Sequence, residues 1–173
     1  MDIAELNDLS EQAFVDAVAP WFEGAPSFLA RLAAARPFPS VDRMFDTAQT
    51  IALHLMPEED QVELINAHPR LGAPPATVSS ASFEEQGYDR DTTDAISELA
   101  HLNVDYEARF GFRFCVFVNG RSRRELVPVL ETALAADREA ELRRAINDVI
   151  LIARVRAGAD IRSTDARVRS PAS

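Results

Sequence analysis

The stretch LRRAINDVILIARVR, residues 142–156, carries the pattern on which the fold turns. Leu142, Ile146, Val149, Ala153 and Arg156 fall at steps of four, three, four and three, the rhythm of one buried helix face. Arg144 and Arg154 lie off that line. Asp137 is placed to cap this helix, which the spacing carries to about Ala157, just before Gly158. An arginine at the end of an apolar stripe is costly unless paired, so Arg156 is expected to meet an acid or a bound anion. Snorkelling from the last turn is the equally open alternative.

The same period recurs upstream. Ser10 caps a helix that ends near Pro20, and Pro26 opens PSFLARLAAA, which Pro37 stops. Ser40 caps a third helix, with Val41, Met44, Phe45, Ala48, Ala52 and Leu55 on one face. Pro57 and the acids Glu58, Glu59 and Asp60 start a fourth, which carries Val62, Leu64 and Ile65 to Ala67. GAPPATVSSAS, residues 72–82, is a loop by composition, and Ser82 opens a short helix around FEEQ. From Thr93 to about Arg109 the residues Ile96, Leu99, Asn103, Tyr106 and Phe110 keep helical spacing, with Gly111 as the stop.

FRFCVFV, residues 112–118, is the only strand-like run, and one strand makes no sheet, so it reads as an extended buried connector. Ser122 to Glu125 is a capping box, and Pro128 requires that helix to be kinked or to start late. The expected fold is all-α: a single domain of about eight helices over residues 1–160, with no substantial sheet. Residues 161–173 have little to bury and read as a disordered tail.

Composition narrows the function. The net charge of −10 argues against nucleic acid and anionic membranes, which attract basic surfaces. No apolar run approaches the ~20 residues of a bilayer span. The single cysteine, Cys115, sits among apolar neighbours and reads as a core residue in a reducing compartment. MDIAELNDLSEQ is too acidic for a secretory or transit peptide, and the final SPAS is no peroxisomal address, so a cytoplasmic location is expected. Without CxxC, HExxH or a Gly-rich phosphate loop, metal and nucleotide chemistry have no support, and no GxSxG elbow marks a serine hydrolase.

Three features can carry chemistry. In INAHPRLG, residues 65–72, His68 stands where a helix stops, and Pro69 disfavours the α region for it. The helix's last carbonyls favour a protonated imidazole there, and such a group can move protons near neutral pH. A structural His-Pro at a helix end accounts for the position equally completely. SFEEQ, residues 82–86, is a capping box of Ser82 and Glu85, yet Glu85 beside Gln86 is also a good substrate clamp. Arg156 is the third.

Taken in order, AHPRLG, SFEEQ, LNVDYEARFGFRF and INDVILIARVR resemble the OHCU decarboxylase family, from about Phe14 to Arg156. These enzymes act on 2-oxo-4-hydroxy-4-carboxy-5-ureidoimidazoline (OHCU), in the last step from urate to (S)-allantoin. FEGAP, residues 22–26, is similar to the family's Phe-Glu-x-x-Pro element. The resemblance implies an all-α homodimer without a cofactor. His68 and Glu85 would be catalytic, while Pro69, Ser82, Gln86 and Arg156, with Phe112, Phe114 and Val116 of the connector, would bind substrate. Arg113 stands where the family usually has proline, and Ser27 where tryptophan is common, which bears on pocket shape and substrate preference. A helical interaction module that has lost catalysis, or a decarboxylase of a related ureido acid, stay as the alternatives.

Overall fold

Helices dominate the computed structural model, which describes residues 2–72 and 93–168, with side chains over 2–72 and 95–158. The described residues form eight α-helices: α1 Ile3–Asp8, α2 Glu11–Val18, α3 Pro26–Ala34, α4 Val41–Thr50, α5 Glu58–Asn66, α6 Thr93–Phe110, α7 Arg123–Leu134 and α8 Arg138–Val168. A 3-10 turn, Ala19–Trp21, follows α2, and a π turn, Ile51–Leu55, follows α4. No strand occurs among the described residues, as the single strand-like run led us to expect. The contacts gather into two compact units, Met1–Leu64 with Ile150–Ser173, and Ile65–Val149.

In the first unit the capping residues act as their positions require. Ser10 and Ser40 accept the N–H groups of Ala13 and Arg43 at 3.3 and 3.2 Å. The sequence reading missed α1, although its signal is present: Asp2 and Glu5 form a reciprocal capping box. Asn7 of α1 then holds Phe38 by both main-chain groups, at 2.8 and 2.9 Å. Phe14, Trp21, Phe22, Phe28 and Phe45 are buried, and the Phe22 and Phe28 ring centroids lie 4.8 Å apart.

The segment capped by Ser40, α4 with the π turn that follows it, departs from the expected face. Met44, Phe45, Ala48 and Ala52 are buried, but Leu55 is 61% exposed and Ile51 is buried instead. A π turn holds more residues than an α turn, so the apolar stripe rotates by about one position across it. The open carbonyls of Ala52 and Leu53 accept the amide of Gln61 on α5, at 2.8 and 3.4 Å. Gln61 is thereby a buried polar residue with a partner.

In the second unit α6 packs on α7. Leu99, Asn103, Tyr106 and Phe110 are buried as the spacing predicts. Gly111 ends α6 at φ 80°, a left-handed conformation that favours glycine, and its N–H meets the Glu107 carbonyl at 2.9 Å. The connector follows, with Phe112, Phe114, Cys115, Val116 and Val118 buried. The Ser122–Glu125 box starts α7 at once, and the helix runs through Pro128 rather than starting late. Asp137 accepts the Ala140 N–H at 2.9 Å and caps α8. That helix continues to Val168, past the end read near Ala157, because Gly158 lies within the helix instead of turning the chain.

Candidate active site

His68 lies two residues beyond the end of α5 and is 4% exposed. Its N–H closes a turn on the Ile65 carbonyl at 3.1 Å. The surrounding chain is held from two sides. Arg113 donates its main-chain N–H to Asn66 Oδ1 at 2.8 Å, and its guanidinium reaches the carbonyls of Asn66 and His68 at 2.7 and 3.1 Å. On the far side of Pro69, Arg70 forms a two-pronged ion pair with Glu107 of α6, at 2.5 and 2.6 Å. Asn103 Nδ2 donates to the Leu71 carbonyl at 2.9 Å. The hydrogen bond and charge of Glu107 raise the Arg70 pKa. Glu107 is lowered in turn, first by that hydrogen bond and further by the charges of Arg70 and Arg113, which outweigh partial burial.

The negative end of α5, assigned from the sequence to the imidazole, is therefore answered by the Arg113 guanidinium. His54 and His101, the other two histidines, are both exposed on helical segments.

The connector is fastened at alternate residues. Arg113 N–H bonds to Asn66, the Cys115 carbonyl accepts Arg144 at 3.0 Å, and Phe117 N–H donates to Asp148 at 3.2 Å. Alternate residues of an extended chain face opposite ways, so Phe112, Phe114 and Val116 fall on the other parity.

A buried polar network that the sequence reading did not identify secures this arrangement. The Tyr106 hydroxyl donates to Glu141 Oε1 at 2.6 Å. Arg144 bonds the same oxygen at 2.5 and 2.8 Å and reaches Asp148 at 2.8 Å. Burial, then the hydrogen bond and charge of Glu141, push the Tyr106 hydroxyl far above its ordinary range, so it stays a donor. Burial works against the Arg144 charge, but Glu141 and Asp148 together hold its pKa above the usual value. Desolvation raises the Asp148 carboxyl, against the pull of Arg144. The signal was available: Glu141, Arg144 and Asp148 follow helical i+3 and i+4 spacing. A groove of about 620 Å³ opens along α7 and the start of α8, lined by Pro128, Thr132, Ala136, Ala140 and, from this network, Glu141 and Arg144. It is not lined by His68.

In the other unit Arg156 is 7% exposed and meets an acid, as the stripe argument requires. Its partner is Glu23 at 3.1 Å, with the Pro20 and Trp21 carbonyls at 3.3 and 3.4 Å. Glu23 is the acid of FEGAP and sits at φ 53°, a left-handed conformation costly for a side-chain-bearing residue. Sequence reasoning quoted FEGAP without finding this pair. Ser27 is engaged by Glu63, which accepts its N–H and hydroxyl at 3.0 and 2.9 Å. Ser82, Glu85 and Gln86 lie outside the described residues. Among the described residues no group of three or more His, Cys, Asp or Glu could hold a metal ion, and no helix is long and apolar enough to cross a membrane.

An all-α chain with a buried histidine clamped behind a helix end has the means for positioned proton transfer. The family model for OHCU decarboxylase matches residues 7–158, and the chain belongs to the OHCU decarboxylase family, a family of carbon–carbon lyases. It is 28% identical over 158 residues to the 2-oxo-4-hydroxy-4-carboxy-5-ureidoimidazoline decarboxylase of Haloferax volcanii, covering 90% of this chain and 94% of that protein. The corresponding enzyme of Halalkalicoccus jeotgali is 30% identical over 159 residues, with 90% and 89% covered. The uric acid degradation bifunctional protein of Bacillus subtilis is 33% identical over 155 residues, which are 88% of this chain but 31% of that longer relative. A crystal structure of OHCU decarboxylase in the presence of (S)-allantoin superimposes with a TM-score of 0.69 at 25% identity, covering 82% and 94% of the two chains.

Proposed function

We propose that this chain decarboxylates OHCU to (S)-allantoin in urate degradation, with His68 moving the proton. What carries the reading is the ordered set of AHPRLG, SFEEQ, the Phe112–Val118 connector and Arg156 in a member of this family. In OHCU the carbon bearing the carboxylate adjoins a ring C=N. When the bond to the carboxylate breaks, its electron pair flows into the ring and CO₂ departs. The ring nitrogen takes up a proton, the hydroxyl-bearing carbon becomes the ring carbonyl as its O–H proton leaves, and a proton adds on one face of the adjoining ureido-bearing carbon, the new stereocentre. The electron sink belongs to the substrate, so the protein's task is orientation, charge stabilisation and stereospecific proton delivery.

His68 either takes the hydroxyl proton or supplies the new C–H. Glu85 orients His68 or the substrate hydroxyl, and Gln86 binds the amide edge, with Ser82 and Pro69 shaping that side. Arg156 anchors an anionic or carbonyl group. Main-chain groups of Phe112, Phe114 and Val116 line the pocket, a role supported by the bonding of residues 113, 115 and 117 to other parts of the protein. The chain works as a cytoplasmic homodimer.

Purified protein mixed with freshly generated OHCU should give dextrorotatory allantoin faster than the spontaneous reaction, which yields a racemate. An unchanged rate and optical sign would refute the reading. His68→Asn should abolish most of the acceleration and leave the helical circular dichroism intact.

A further inference from the structure

We infer that Arg113 is a positioning residue for His68, an inference that rests on the catalytic reading of His68 above. One side chain and its own main chain make three bonds to the three-residue span that ends in the histidine. The N–H of Arg113 holds the Asn66 side chain at 2.8 Å, and its guanidinium bridges the Asn66 and His68 carbonyls at 2.7 and 3.1 Å. A single atom, Nη1, makes both carbonyl contacts, which fixes the two peptide planes relative to one another.

Beyond the histidine, Pro69 fixes its own φ, and Arg70 and Leu71 are tied to Glu107 and Asn103 of α6. The imidazole is thus carried on a backbone held immediately before, at and after its own residue. A proton donor must be placed to a fraction of an ångström, so loosening this backbone costs rate even though Arg113 need not touch substrate.

The residue type matters. A proline at position 113 has neither N–H nor cation and makes none of the three bonds. A lysine keeps the N–H and brings an ammonium on a flexible stem, without the planar guanidinium that holds Nη1 between the two carbonyls. A guanidinium at helix-end carbonyls also suits the partial negative charge there. Arg113 is half-buried and its contacts are main-chain carbonyls, so its work is geometric and its effect belongs in kcat rather than in substrate affinity.

Arg113→Met, which keeps the apolar stem, should lower kcat about tenfold with KM within about twofold and the helical spectrum unchanged. Arg113→Lys should recover part of that loss. In a His68→Asn background the Met substitution should cost no further rate, because there is no imidazole left to position. If Arg113→Met does not fold, Asn66→Ala removes one of the three bonds and should show a smaller loss of kcat at constant KM. A folded Arg113→Met with wild-type kcat, or a loss that persists in the His68→Asn background, overturns the inference alone. Full activity in His68→Asn overturns the reading of His68 and the inference with it.

Discussion

Tyr106→Phe removes one oxygen from the centre of the second unit, and its cost can be worked from the contacts. The hydroxyl donates to the Glu141 carboxylate at 2.6 Å, and the ring is 0% exposed, so no water replaces it. A hydrogen bond to a charged group contributes about 1.5–3 kcal/mol. Glu141 keeps both bonds from Arg144, so its charge is not orphaned, and the lower part of that range applies, about 1.5–2 kcal/mol. The ring contacts with Phe110 and Phe114, at centroid distances of 4.6 and 5.1 Å, remain.

For a chain of this size the loss corresponds to a Tm lower by about 3–8 °C. Urea unfolding followed by circular dichroism should show a lower midpoint at unchanged slope. A second readout comes from pH. The folded hydroxyl is held above its ordinary pKa, so the unfolded state releases this proton first, and wild-type stability falls as pH rises past about 10. The variant has no such proton, so the stability gap should hold to about pH 10 and narrow from there to about pH 11. Equal midpoints at pH 7, or a gap that stays constant to pH 11, would refute the reasoning.

Two further substitutions probe the ion pairs. Glu23→Ala leaves the buried Arg156 charge without its acid and should cost about 3 kcal/mol in urea unfolding, since alanine at the same left-handed backbone offers no compensating relief. Glu107→Gln should cost under about 1 kcal/mol at neutral pH, because Arg70 is largely exposed. Since Glu107 is depressed in the folded state, the stability it contributes is present above the ordinary carboxylate range and is lost as pH falls. The variant's urea midpoint should accordingly fall less steeply between pH 5 and 2.5.

Much of the fold is written locally. Caps at Ser10, Ser40, Ser122 and Asp137, and the stop at Gly111, act within one turn of their own residue, so they are legible without tertiary knowledge. Arg156 was legible because a charge on an apolar stripe demands compensation, though the stripe cannot say that the acid is Glu23, more than a hundred residues earlier. Leu55 was misplaced because a regular period cannot register a π turn. The grip of Arg113 on the His68 turn joins positions 45 residues apart, and no spacing rule reaches across that distance.

The π turn also bears on how the chain tolerates changes of length. In a regular helix an inserted or deleted residue rotates everything beyond it by about 100°. At Ile51–Leu55 the chain already accommodates surplus backbone, and the extended Met56 then breaks the helical register before α5 begins. The amide of Gln61 accepts that slack by bonding whichever carbonyls the wide turn presents, here those of Ala52 and Leu53. A one-residue insertion or deletion at this junction should therefore be absorbed with Gln61 and Leu64 still turned inward. This junction is the chain's expansion joint.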